Sequence, residues 1–184
     1  MEMLTINIEG GKFFDNKNNM FITTDPVDLR LEHSLISLSK WESKWTKPFL
    51  DNKDKTSEEM IDYIRCMTLN KNVDPKVYYL LTNDDLSKIK AYIDAPMTAT
   101  WFSEDKRARH PRSREIVTAE IIYYWMIAQN IPPEYQKWHL NRLLTLIRVC
   151  SVKNAPPKKM RNKDIMRQNQ ALNAARRRAT KSRG

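Results

Sequence analysis

The period of the hydrophobic pattern changes at Ser34, and that change limits what the chain can fold into. Before it, Leu4-Thr5-Ile6-Asn7-Ile8-Glu9 and Val27-Asp28-Leu29-Arg30-Leu31 alternate apolar with polar residues, the period of a strand with one buried face. Gly10-Gly11 follows the first run and reads as a turn. Phe13-Phe14 and Met20-Phe21-Ile22-Thr23-Thr24 flank Asp15-Asn16-Lys17-Asn18-Asn19, a turn-forming stretch that predicts a hairpin. After Ser34 the spacing becomes three and four. Ser34 caps a helix carrying Leu35, Ile36, Leu38, Trp41 and Trp45, which ends before Pro48.

Further helices follow in the same way. Thr56-Ser57-Glu58-Glu59 is a capping box that opens a helix through Leu69, with Met60, Ile61, Ile64 and Met67 on one face. Asp74-Pro75 starts a short helix containing Val77, Leu80 and Leu81. Asn83 or Asp84 starts another, with Leu86, Ile89 and Ile93, ending near Pro96. Residues 97–112 read as a polar loop. Ser113 then caps a helix from Arg114 to Gln129 that is apolar nearly all round, which makes it the expected buried central element. Pro132-Pro133 breaks the chain and opens a helix from Glu134 to Cys150 with a wide apolar stripe.

The expected class is therefore α+β. A small N-terminal antiparallel sheet or hairpin (1–33) precedes a predominantly helical body (34–153), and together they make one globular domain, 1–153. Asn154-Ala155-Pro156-Pro157 marks its end. Residues 154–184 form a basic C-terminal extension, helical or disordered according to context. From Lys163 to Arg178 the only large apolar residues are Ile165, Met166 and Leu172, too few to hold a helix alone in water.

Charge is segregated along the chain. The net charge is +10, yet from Lys153 onward eleven Lys and Arg stand against Asp164 alone, which leaves 21 basic and 21 acidic residues before it. A polyanion or acidic partner would have to be met by the extension, where Lys158, Lys159, Arg161, Arg176, Arg177 and Arg178 are the candidate contacts. No aromatic residue is interleaved with them, so base stacking has no support there. Nucleic acid and an acidic protein both remain open. Lys106 to Arg114 is a second basic stretch, with Glu104, Asp105 and Glu115 beside it, and reads as a solvated loop.

Chemistry finds little purchase. His33, His110 and His139 stand in no metal or catalytic spacing, and no P-loop, GxSxG or GxGxxG is present. Asp84-Asp85 and Glu58-Glu59 sit at helix starts, where the helix dipole favours anions. Glycine is scarce, and Cys66 and Cys150 are far apart, the usage of a reducing compartment. The opening residues have neither a basic start nor an apolar run, and the greasiest window, Ile116 to Ala128, falls short of the roughly 20 residues a membrane helix needs. These features lead us to expect a cytoplasmic, non-enzymatic protein without cofactor, metal or membrane span. It would work by binding other macromolecules. Trp41 and Trp45, four residues apart on one helix, either pack that helix on the sheet or line a partner groove.

Three blocks carry a resemblance: Leu31 to Glu42 (LEHSLISLSKWE), Pro96 to Thr100 (PMTAT) and Gln136 to Leu143 (QKWHLNRL). They resemble small proteins encoded among the tail genes of bacteriophages with long non-contractile tails, often described as tail assembly chaperones. The resemblance implies a protein that binds the helical tape measure protein in the host cell cytoplasm, keeps it soluble and leaves before the particle is complete. On that reading Trp41, Trp45, Trp138 and Arg142 are the candidate partner contacts, and self-association stays open. The strand-rich opening leaves room for a structural alternative, a tail or connector subunit of the virion that pairs its strands with a neighbour's sheet edge. A third reading is a non-specific nucleic-acid-binding protein acting through its basic extension.

Overall fold

Alternation from Leu4 to Ile8 and from Val27 to Leu31 produces two strands that share one buried face. In the computed structural model, which describes residues 3–15, 19–51, 53–102, 116–156 and 162–180, strand β1 (Leu4–Ile8) pairs antiparallel with β4 (Val27–Leu31), and β2 (Gly11–Asp15) with β3 (Met20–Thr24). Both ladders keep one register. Ile8 opposes Val27 and, three residues on, Gly11 opposes Thr24. The four strands thus follow one two-stranded ribbon, interrupted where Pro26 has no N–H to donate. Gly10 is not the turn its sequence suggests. The chain continues through it from β1 to β2, and a Cβ there would lie 2.5 Å from the Thr24 carbonyl oxygen and 2.7 Å from the Pro26 nitrogen.

A two-stranded ribbon is marginal alone in water. Here its inner half is secured in two ways. Ile6, Ile8, Leu29 and Leu31 are buried in the core. The open edge of β4 is occupied by residues 67–70: Leu69 N–H donates to Arg30 O (2.8 Å), Glu32 N–H to Met67 O (2.9 Å), and the Asn70 side chain accepts from Arg30 N and donates to Asp28 O. The outer half carries Phe14 and Phe21 on opposed positions, ring centroids 5.1 Å apart, and both are exposed.

The helical body contains α1 (Leu35–Trp45), α2 (Ser57–Met67), α3 (Asn83–Asp94), α4 (Ala119–Ala128) and α5 (Leu140–Asn154), with 3-10 helices at Pro75–Leu80 and Pro133–Lys137. Capping boxes start the first three: Ser34 with Ser37, Thr56 with Glu59, and Thr82 with Asp85. Two compact units divide the chain, Met1–Ser151 and Val152–Gly184, and the second contains α6 (Asn162–Thr180). Among the described residues no helix is long and apolar enough to cross a membrane. The α+β class expected from the pattern is the class observed.

Two helices differ from the sequence reading. α4 begins at Ala119 rather than Arg114; residues 116–118 are not helical, and residues 103–115, including the basic loop and the Ser113 cap, lie outside the described residues. Nor is α4 the buried centre. Only Ala119, Ile122 and Met126 are buried, while Tyr124 and Ile127 are 65% and 76% exposed. The central element is α1, which packs against both α2 and α4 and buries Leu35, Leu38 and Trp41. The helix expected from Glu134 also starts late, at Leu140. Leu140 N–H donates to His33 O (2.8 Å), and Ser34 forms a bridge with His139, so backbone groups that a helix from Glu134 would use are taken by the β4–α1 junction.

One buried carboxylate joins α1 to α4. Thr118 makes no side-chain cap for α4, and Glu42 from α1 takes that role: Oε2 accepts from Ala119 N–H (2.7 Å) and Oε1 from Phe49 N–H (2.8 Å). Burial raises the Glu42 carboxyl above its ordinary value, against the two backbone donors that favour its charged form. Glu42→Ala leaves both buried N–H groups without an acceptor, and the expected loss of unfolding free energy in urea titration is about 3 kcal/mol. Glu42→Gln keeps an acceptor oxygen and is expected to lose less.

Candidate functional site

Trp41 and Trp45 come first among the residues singled out by sequence. Trp41 is 1% exposed; its indole N–H donates to Glu59 O (2.9 Å), and its ring meets Phe49 at 5.0 Å and Tyr63 at 6.5 Å. It belongs to the core and offers no surface to a partner. Trp45 is half-buried, stacks on Trp41 at 6.1 Å and donates to Asp62 Oδ2 (2.8 Å). Lys44 pairs with the other oxygen of Asp62, and Lys47 with Glu59 Oε1 (2.6 Å). Both ammonium groups lie under 6 Å from the Trp45 ring. Buried acids on α2 thus lock the tryptophan face of α1. The partner-groove reading of Trp41 is corrected: the i,i+4 pair is a helix–helix joint, because Glu59 and Asp62 supply the acceptors its indoles need.

Trp138 and Arg142 lie elsewhere, at a junction where the three resembling blocks converge. His33 and His139 rings stand 5.0 Å apart. His33 Nδ1 and the Tyr63 hydroxyl are hydrogen-bonded at 2.7 Å, and His139 Nε2–H donates to Tyr92 O (2.9 Å), since a carbonyl can only accept. Asn141 Nδ2 donates to Ile93 O and Ala95 O, both at 2.9 Å, fixing the end of α3 to α5. Burial, with the nearby His139, pushes the His33 imidazole down to about 3, so it is neutral at physiological pH; burial also keeps the Tyr63 phenol protonated far above its ordinary value. Among the described residues no group of three or more His, Cys, Asp or Glu side chains is arranged to hold a metal ion.

A pocket of about 200 Å³ opens beside this junction, lined by Glu32, Tyr92, Met97, Trp138, His139 and Arg142, with Lys137 also on its wall. Trp138 stacks on Tyr135 at 4.3 Å, and the Arg142 guanidinium lies 4.2 Å from the Trp138 ring centre. The two residues named from sequence are therefore together, as a cation–aromatic pair.

A larger and more apolar concavity among the described residues is one that the sequence reading did not single out. Met60, Ile61 and Ile64 of α2, with Leu86, Ile89 and Ile93 of α3, line a groove of about 580 Å³. Phe49 is a further apolar wall, and Lys53, Lys55, Lys90, Asp54 and Asp94 supply its charged groups. Ile64 and Ile89 are buried, Met60, Ile61 and Ile93 half-buried, and Leu86 exposed. Both apolar stripes were legible as helix faces. That they face a common opening was not, since nothing in their spacing distinguishes a face covered by the core from one left open.

The basic extension is described in part. Lys158, Lys159 and Arg161 lie outside the described residues. Arg176 and Arg177 are exposed on α6, and Arg178 lies in that helix with its side chain outside the description. Comparisons with protein-family models, curated proteins and solved structures give no match to this chain.

The His33 shift carries a pH dependence. Between pH 6.5 and about 3 the unfolded chain binds a proton at this ring and the folded chain does not, so stability falls as pH drops through that window. The slope is at most roughly 1.4 kcal/mol per pH unit. Glu42, with its raised value, works in the opposite sense above its ordinary range, so the test compares wild type with His33→Asn, which keeps Glu42 constant. The difference in unfolding free energy is expected to shrink steadily from pH 7 to pH 4. A difference independent of pH would falsify the neutral, buried assignment.

Proposed function

We propose that this chain is an assembly chaperone that holds an amphipathic helical segment of a partner protein in the groove lined by α2 and α3. The observation that carries the reading is the groove itself. Six apolar side chains from two helices converge on an open concavity, the arrangement into which a helix lays residues spaced i, i+3, i+4 and i+7. Its volume falls in the range of sites that take a ligand's apolar surface out of water. Lys53, Lys55 and Lys90 beside Asp54 and Asp94 can meet the polar flanks of such a helix on either sign. The three blocks resembling tail assembly chaperones support one choice of partner, the tape measure protein of a long-tailed bacteriophage, bound during tail morphogenesis in the host cell.

The outer ribbon favours a second reading. Phe14 and Phe21 are exposed on β2 and β3, which pair only with each other among the described strands. A virion subunit of the tail or connector would use such strands to extend a neighbour's sheet.

Co-expression with the tape measure protein of the same phage tests the first reading. Wild type is expected to co-purify with it and keep it in solution. Leu86→Glu and Ile61→Glu, which place a charge on the groove wall, are expected to weaken the complex by about tenfold or more, a cost of about 1.4 kcal/mol, with the helical circular dichroism unchanged. Co-purification indifferent to both substitutions overturns it. Mass spectrometry of purified particles separates the two readings: a chaperone is absent, and a subunit is present at fixed stoichiometry.

A further inference from the structure

The second unit, Val152–Gly184, carries the whole net charge of the chain: eleven Lys and Arg stand in it against Asp164 alone. Charge alone defines only a solvated tail, and the arrangement on α6 (Asn162–Thr180) gives it direction. Every side chain described on α6 is exposed, from Met166 and Arg167 to Arg176 and Arg177. At about 100° per residue, Arg176 and Arg177 bound an arc of roughly 100° on the helix surface. Asn169 and Asn173, one turn apart, lie inside that arc, and so does Met166. Ala171, Ala174 and Ala175 keep the middle of the helix slender.

The composition of the unit sorts the polyanions it could meet. An acidic protein would need an interface with an apolar or aromatic centre, and an anionic lipid surface a continuous apolar face. The unit has no aromatic residue, and α6 has only Ile165, Met166 and Leu172 as large apolar ones. Single-stranded nucleic acid calls for aromatic platforms, which are absent from this sequence segment. Duplex nucleic acid needs none of these, because counterion release from the phosphates drives its binding.

The form of the helix then separates the duplexes. The major groove of B-form DNA is about 12 Å wide and admits an α-helix, with base edges on its floor and phosphates along both walls. Duplex RNA has a major groove too narrow and deep for side chains to read. We propose that α6 docks in the major groove of duplex DNA, with Arg176 and Arg177 on the phosphates and Asn169 and Asn173 toward the base edges. An asparagine amide pairs there with adenine, and Met166 can lie on a thymine methyl. This site belongs to the second unit alone and does not rest on the chaperone reading.

The test titrates the full-length protein against a fluorescent duplex DNA of about 20 base pairs, followed by anisotropy between about 50 and 200 mM salt. Affinity is expected to fall at least about tenfold across that range. Arg176→Gln combined with Arg177→Gln, which retains helix-forming residues, is expected to weaken binding about tenfold and to flatten the salt slope by about two. Duplex RNA of the same sequence and polyglutamate of matched charge are expected to bind at least about fivefold more weakly. Methyl green, which fills the major groove, is expected to displace the protein, and distamycin, which fills the minor groove, is expected to leave it bound. No measurable binding, undiminished affinity in the double variant, equal affinity for duplex RNA or polyglutamate, or displacement by distamycin alone each overturns the proposal.

Discussion

The backbone from Asp28 to Ser34 is the strip to which the rest of the first unit is pinned. On one side it is β4, in register with β1. On the other, residues 67–70 at the end of α2 complete its edge, using a backbone N–H, a backbone carbonyl and the Asn70 amide as if they were a third strand. Two residues later the same strip accepts from Leu140 N–H and bridges His139. Three distant parts of the chain thus close on seven residues, and each closure satisfies backbone groups that burial would otherwise strand. The ribbon is stable with only two strands for this reason, and α1 leaves it at a fixed angle.

Buried polar groups then select one arrangement of the helices. Glu42 holds the starts of α4 and of the Phe49 segment against α1, and Glu59 and Asp62 hold the indoles of α1, together with Lys44 and Lys47, against α2. His33, Tyr63 and His139 do the same where strand, α2 and α5 meet. Apolar packing tolerates small slides between helices, but a hydrogen bond in a low-dielectric interior does not, so these few groups set the register that hydrophobic burial leaves open.

Where the packing stops, surfaces suited to partners begin. Leu86 and Ile61 stand over the α2–α3 groove, Phe14 and Phe21 at the outer ribbon, and Tyr124 and Ile127 on the outward side of α4. Single exposed apolar side chains are ordinary on a domain surface, and only a large contiguous patch would mark an interaction site. The groove is distinguished from the other two by its concavity and by charged groups of both signs.

Strand period, helix period, capping boxes and the segregation of basic charge past Lys153 were set by local sequence, because each depends on residues within one or two turns of each other. Ser34, Thr56 and Asp74 start their elements where local chemistry puts them. Everything that depended on distant partners was decided by the tertiary structure. Gly10 reads as a turn until the opposite strand fixes it as a point of close approach, and α4 reads as the centre until α1 takes that place. Trp41 reads as core or groove until Glu59 O accepts its N–H, and Trp138 and Arg142 come to line one pocket with Glu32, Tyr92 and Met97 only in the fold, across roughly 40 to 110 residues of chain. Periodicity states which face of a helix is apolar. Only the fold determines whether another element covers that face, because burial is a property of what the rest of the chain brings to it.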